Sequence, residues 1–197
     1  MFWYSNSIFM KTFLLASASP RRQELLKSMG INYRYVKIDV EENYDNNLKG
    51  AEITDYLAEL KSKAILELRK EEILITADTI VWHNGKALGK PLNRENAKAM
   101  LLSMSDSTHQ VYSSVCVRTC DTSFTINDCT NVSVKKLLES DVEYYLNQNN
   151  FMDKAGSYGI QNWFGMTCVS SIEGSYYNVV GLPTEKLYNL LVDLKLI

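Results

Sequence analysis

Histidine is nearly missing from this chain. Two residues, His83 and His109, stand alone among 197, too few and too isolated to build a metal cage. The four cysteines (Cys116, Cys120, Cys129, Cys168) form no Cys-x-x-Cys pair and have no histidine at zinc spacing. They read as reduced thiols of a cytoplasmic protein rather than as a disulfide framework. Charge of one sign is lacking too: 21 Lys and Arg against 23 Asp and Glu leave a formal net charge of -2. With no basic run, a nucleic-acid surface is not indicated, whereas a small anion needs only a few well-placed cations. No apolar run is long enough to span a membrane. Residues 1–11 are aromatic but lack a charged start and a long apolar centre, so they make a poor signal peptide and are expected to be a loosely ordered leader, with Met10 an alternative start. The remainder, 12–197, is expected to be one domain, long enough for two lobes sharing a core.

The strongest local signal lies between Leu74 and Pro91. Two β-rich runs flank Asn84-Gly85, a dipeptide suited to a type I′ turn because both central residues need positive φ. That turn predicts His83 opposite Lys86 and Thr79 opposite Lys90. The first run carries Asp78 within a stretch that reads as buried, and a buried carboxylate is costly unless something pairs with it or uses it. Strict alternation puts Asp78 and Lys90 on opposite faces, so a shared site requires a bulge or twist near Gly89.

A second signal opens the chain. Thr12 to Ala16 reads as a short buried strand, broken by Ser17-Ala18-Ser19-Pro20. Ser19 suits an N-cap and Pro20 the first helical position, predicting a helix from Arg21 to about Met29 that stops at Gly30. Such a turn aims unpaired N–H groups at whatever lies above Ser17. Arg21 and Arg22 occupy the first turn, where a cation opposes the helix dipole. Two readings stand: a bound anion, or two solvated arginines.

Further along, the patterning predicts a strand over Asn32–Val40, a long amphipathic helix over Glu52–Lys70, and a helix over Arg94–Met104 capped by Asn93. Two longer strands follow at Gln110–Thr119 and Ser123–Leu137. Ser140-Asp141-Val142-Glu143 reads as a capping box opening a helix to about Asn147. Asp153–Gln161 is a glycine-containing loop, Trp163–Ser170 and Ser175–Val180 read as the last strands, and Thr184–Leu194 as the final helix. Alternating strands and helices make the class α/β. His109, in a turn, reads as a structural hydrogen-bonder. Lys154 fits ligand contact and pairing with Asp153 equally well.

Five collinear blocks resemble the signature segments of the Maf family. They are Leu15-Ala16-Ser17-Ala18-Ser19-Pro20-Arg21-Arg22-Gln23-Glu24-Leu25-Leu26, Ala77-Asp78-Thr79, Gly89-Lys90-Pro91, the run from Asp153 to Gln161, and the run from Ile172 to Pro183. The resemblance implies an elongated mixed β-sheet flanked by helices, two lobes with a cleft between them, similar to the inosine triphosphatase fold. It implies a pyrophosphatase that cleaves a nucleoside triphosphate between the α- and β-phosphates with a divalent cation, Mg2+ or Mn2+. The form of the Asp153–Gln161 run resembles the branch acting on dTTP and UTP. By the same resemblance Asp78 is the proton acceptor, and Arg21, Thr79 and Gln161 are specificity positions. Lys61, Lys90 and Glu42 align with further charged positions. Two departures stand out: Asp106 replaces a common glycine, and Asn162-Trp163-Phe164 replaces a glycine-rich continuation.

The site expected from this is Asp78 on the attacking water, kept ionised by Lys90, with Ser17, Arg21, Lys61 and Lys90 on the phosphates. Glu42 and Asp78 are the expected metal ligands, the ion being shared with the phosphates. Gln161 suits the O4/N3–H edge of thymine and uracil, because its amide offers a donor and an acceptor. A homodimer is the expected assembly. Two rival readings remain: a phosphohydrolase releasing inorganic phosphate, and a non-catalytic nucleotide-binding regulator of cell division.

Overall fold

The computed structural model describes residues 11–148 and 151–197. The expected leader therefore lies outside the described residues apart from Lys11, whose ammonium donates to the Lys195 carbonyl. The framework is a seven-stranded mixed sheet ordered β2-β1-β3-β5-β6-β7, with β4 paired to β3 off this path. The strands are β1 (Thr12–Leu15), β2 (Tyr33–Tyr35), β3 (Glu72–His83), β4 (Lys86–Leu88), β5 (Ser107–Arg118), β6 (Ser123–Val134) and β7 (Val169–Glu173). β1 runs parallel to both β2 and β3, and every other pairing is antiparallel.

β3, β5 and β6 have 12 residues each, about 40 Å of chain at the usual rise per residue. That length lets the same strands serve two apolar cores. At one end Ile73, Ile75, Val115 and Val117 pack with Leu26 of α1 (Pro20–Ser28) and with Leu187 and Leu191 of α7 (Thr184–Asp193). At the other, Val81, Val111 and Val132 pack with Leu101 of α3 (Arg94–Ser103), Tyr145 and Leu146 of α4 (Glu139–Asn147), and Phe164 of α5 (Trp163–Cys168). α2 (Ala51–Lys63) covers one face of the middle, placing Ile53 and Leu57 on Ile80.

The locally signalled features form as expected. Asn84 (φ 49) and Gly85 (φ 73) make the turn, and His83 pairs with Lys86. Ser19 is the N-cap of α1 and Gly30 follows it at φ 76. The Asn93 carboxamide accepts from the Asn96 N–H at the start of α3.

Five expectations are corrected. The Asn32–Val40 strand shrinks to Tyr33–Tyr35, because its partner, β1, is four residues long. The Glu52–Lys70 helix ends at Lys63, where the chain must turn back to enter β3 at Glu72. Trp163–Ser170 begins as helix α5, whose Phe164 and Cys168, four apart, both point into the core, and only then becomes β7. Ser175–Val180 is helical as well, forming α6 (Tyr176–Val180) with the Ser175 hydroxyl accepting from Asn178 N–H. The start of α4 also shifts: Leu138 is the N-cap and its N–H is taken by the Asp141 carboxylate, two positions earlier than the expected box.

Candidate active site

The site is built on a break in one edge of β3. Along its other edge β3 is paired continuously with β5 from Leu74 to Trp82. On the broken edge β1 pairs only as far as Ile75, and β4 begins only at Val81. Five residues, Thr76 to Ile80, therefore have no strand beside them, and Asp78 is the middle one. This is also where the parallel strand β1 ends at its carboxyl terminus, a position where α/β sheets commonly bind ligands.

Side chains alternate about this gap, so Asp78 and Thr79 address different faces of the sheet. On the α2 face, Asp78 is 6% exposed and meets Lys61, itself 9% exposed, with Lys61 Nζ 2.5 Å from Asp78 Oδ1. The same ammonium lies 3.1 Å from Glu42 Oε1. Two carboxylates from distant segments thus converge on one lysine. Burial pushes the Asp78 pKa up from its ordinary value; Lys61 and then Arg22 pull it back, and Glu42 adds to the rise.

On the opposite face Arg22 is the hub. Its Nη1 donates to the Ala77 carbonyl (2.9 Å) and the Ser17 hydroxyl (3.3 Å), its Nη2 to Thr79 Oγ1 (2.9 Å), and its Nε to the Gly181 carbonyl (2.9 Å). Ala77 contributes its carbonyl because the open edge of β3 leaves it without a strand partner. Burial lowers the Arg22 pKa, with Asp78 opposing that shift. The Ser17 hydroxyl also accepts from the Ser19 N–H at 3.4 Å, fixing the turn into α1. Ser19 itself makes no side-chain cap.

A cleft on this side is lined by Arg21, Arg22, Thr79, Lys154, Tyr158 and Gln161. Arg21 reaches across it: Nη1 lies 2.5 Å from Asp153 Oδ2, and Nη2 donates to the Asp153 carbonyl at 3.2 Å. Lys154 Nζ is 2.6 Å from the other carboxylate oxygen of Asp153. Burial alone would raise the Asp153 pKa, but these two bonds hold it below the usual range. Tyr158 receives support from behind, where its hydroxyl lies 2.7 Å from His109 Nε2. His109 is buried and serves the core as a hydrogen-bonder, but from strand β5, which begins at Ser107 and takes up the expected turn.

The structure thus gathers Ser17, Arg21, Thr79 and Gln161 on the cleft side, and Asp78, Lys61 and Glu42 on the α2 side of the same strand. Lys90 is placed differently from expectation. The ribbon ladder ends at Val81 opposite Leu88, so Thr79 has no partner in β4 and Gly89-Lys90 leaves the sheet. Lys90 is exposed, and it is not among the charges that act on Asp78. The ammonium beside Asp78 is that of Lys61. Gly89 instead accepts from Gly156 N–H at 3.0 Å, binding this segment to the Asp153–Gln161 loop. Residues that sequence reasoning missed are Ser113, which faces Thr79 from β5, and Asn178 and Gly181, whose carbonyls accept from Ser113 and Arg22. Of these, Asn178 and Gly181 carried a signal, as members of the Ile172–Pro183 block.

A divalent ion fits this donor set in one way. Among the described residues no cluster of three His, Cys, Asp or Glu side chains forms a cage. Asp78 and Glu42, however, each give Lys61 one oxygen and keep a second oxygen that no hydrogen bond to a described residue occupies. Two such oxygens suit a hard cation that takes its other ligands from phosphate and water.

The chain is 51% identical over 183 residues to a protein of Flavobacterium johnsoniae named dTTP/UTP pyrophosphatase, covering 92% of this chain and 94% of that one. A protein of the same name from Bacteroides fragilis (strain YCH46) is 48% identical over 183 residues, with 92% and 95% covered. Among solved structures, a HAM1 protein from Coxiella burnetii superposes with a TM-score of 0.51 over 93% of this chain and 100% of its own. At 12% identity that likeness speaks for the fold alone. The profile described as Maf-like protein matches residues 12–194. Bearing that profile over nearly its whole length, the chain belongs to the Maf family.

Proposed function

We propose that this chain is a nucleotide pyrophosphatase that hydrolyses dTTP and UTP to the monophosphate and pyrophosphate. The observation that carries the reading is Asp78, a buried carboxylate in an unpaired stretch of β3, with a lysine bonded to it and an arginine network on the opposite face. A structural carboxylate gains nothing from such a place, because burying it is costly. A general base gains a pKa lifted toward the working range.

In this reading Asp78 orients and deprotonates the water that attacks the α-phosphate, and Lys61 holds the carboxylate in position. Ser17, the start of α1, Arg21 and Lys61 receive the phosphate charge, and the exposed Lys90 reaches the outer phosphates. Glu42 and Asp78 would hold a Mg2+ or Mn2+ ion, which when bound neutralises phosphate charge. Thr79 and Gln161 face the nucleoside. Four free cysteines support a cytoplasmic setting, and no helix among the described residues is long and apolar enough to cross a membrane. A homodimer is part of the proposal, with the exposed Tyr177 and Tyr188 as apolar surface for it; sedimentation of the purified protein tests this.

The test of the activity is a panel of nucleoside triphosphates with magnesium, the products separated by chromatography. Monophosphate plus pyrophosphate from dTTP and UTP is expected. Release of inorganic phosphate with a diphosphate product would overturn the reading in favour of a different phosphohydrolase.

A further inference from the structure

Thr79 presents its hydroxyl to the cleft, and a hydroxyl normally turns to donate or accept as its partner requires. Here that freedom is removed from below. Ser113 lies directly opposite Thr79 in the β3–β5 ladder, on the same face and fully buried. Its Oγ donates to the Asn178 carbonyl at 2.9 Å, a partner that accepts only. With its one hydrogen spent there, Ser113 is an acceptor toward Thr79, whose Oγ1 lies 2.8 Å away. The Thr79 hydrogen therefore points down to Ser113; its alternative, the Gly181 carbonyl at 3.3 Å, is also protein. On the other side Arg22 Nη2 donates to Thr79 Oγ1 at 2.9 Å, and a guanidinium cannot accept in return. One lone pair remains on Thr79, and the ligand is its open partner.

We propose that Ser113 is a positioning residue that locks the Thr79 hydroxyl as a pure acceptor, so that the cleft selects nucleotides bringing an N–H or O–H donor to that point. The inference rests on the nucleotide pyrophosphatase reading and deepens it. Two donors on a thymidine nucleotide have this chemistry: the N3–H of the base, which cytosine replaces with a bare acceptor, and the 3′-hydroxyl of the sugar. Cytosine N3 sets its lone pair against that of Thr79, and a 3′-deoxy sugar leaves the Thr79 lone pair with no partner.

The experiment measures kcat/KM for dTTP, dCTP and 3′-deoxythymidine triphosphate on the wild type, Ser113→Ala and Ser113→Cys, with pyrophosphate as the readout. Without Ser113, Thr79 keeps only the longer contact to the Gly181 carbonyl at 3.3 Å, and its hydrogen can turn into the cleft and donate. The wild type is expected to disfavour dCTP or the 3′-deoxy nucleotide, and Ser113→Ala to narrow that ratio by about tenfold. Narrowing for dCTP identifies N3–H as the donor, and narrowing for the 3′-deoxy nucleotide identifies the sugar hydroxyl. Ser113→Cys keeps the shape with a poor hydrogen-bonding group and reads the same ratio should the alanine variant fail to fold. A purely structural Ser113 would lower all three substrates by one common factor, and that result overturns the inference. Equal turnover of the three by the wild type overturns it as well. Absence of pyrophosphate release from every substrate would instead overturn the pyrophosphatase reading, and this inference with it.

Discussion

The Lys61 ammonium lies 2.5 Å from the Asp78 carboxylate, with 11% and 8% of the two side chains open to solvent. A pair this closed to water behaves unlike a surface salt bridge. Removing one partner leaves the other buried and uncompensated, which typically costs about 3–5 kcal/mol. Lys61→Met is therefore expected to lower Tm by roughly 6–20 °C. The remaining acid also loses the cation that most opposes its upward shift. Its pKa rises further, so the ascending limb of the pH–kcat/KM profile should move to higher pH. An unmoved limb would show that Lys61 does not govern Asp78.

Asp78→Asn removes the base but keeps the side-chain volume. Turnover should fall by about a thousandfold, within the range of general-base contributions. Binding of a non-hydrolysable dTTP analogue, followed by calorimetry, should persist. Unchanged turnover would take Asp78 out of the mechanism.

The two neighbouring arginines should separate cleanly. Arg22 donates four hydrogen bonds from a forked guanidinium to Ser17, Ala77, Thr79 and Gly181. A lysine cannot reproduce that fork, so Arg22→Lys should lower Tm and kcat/KM together. Arg21 pairs with an Asp153 whose side chain is 53% exposed, and such pairs contribute about 0–1 kcal/mol. Arg21→Lys should leave the melting curve nearly in place while raising KM. Equal melting shifts for the two variants would refute the assignment of Arg22 as the hub.

Gln161→Ala should act on choice rather than on chemistry. The side chain lines the cleft with Thr79, and its amide can serve both the O4 acceptor and the N3–H donor of thymine and uracil. The dTTP preference over dCTP is expected to shrink with kcat on dTTP largely kept. An unaltered preference would remove Gln161 from base recognition.

His109 sets an acid limit on stability. Burial, with His83 nearby, pushes its pKa down to about 4 from 6.5. Between those values the unfolded chain binds a proton that the folded one refuses, so stability rises with pH through that window and is lost as pH falls. The full difference is about 3 kcal/mol. Thermal melts of the wild type from pH 7 to pH 4 should show the decline, and His109→Gln should flatten it. Parallel declines in both proteins would place the acid sensitivity elsewhere.

Much of the scaffold was legible because its signals are local. Asn84-Gly85 dictates a turn whose φ values other residues resist, Pro20 suits the first helical position by its fixed φ and missing N–H, and Asn93 starts α3 by accepting from the Asn96 N–H. The apolar spacing of Leu187 and Leu191 likewise places α7 against the first core. The errors fell where a segment's partner decides its form. Tyr33–Tyr35 stops where β1 stops, and α2 ends where the chain must turn back toward β3. Trp163–Cys168 and Tyr176–Val180 are rich in residues that favour strands, yet they fold as short helices. Burial of Phe164, Cys168 and Asn178 overrides propensity there.

The sequence by itself determined the membership in a family, the hairpin turn and helix starts, and the set of side chains from which a site is drawn. These follow from bonds between residues a few positions apart and from blocks that can be compared directly. Only the tertiary structure decided that Lys61 rather than Lys90 stands beside Asp78, that Arg22 rather than Arg21 ties the strand to α1, and that Ser113 lies beneath Thr79. The reason is physical. The gap in the β3 edge exists only because β1 ends and β4 begins five residues apart along a third strand, and no local pattern records where two other strands stop.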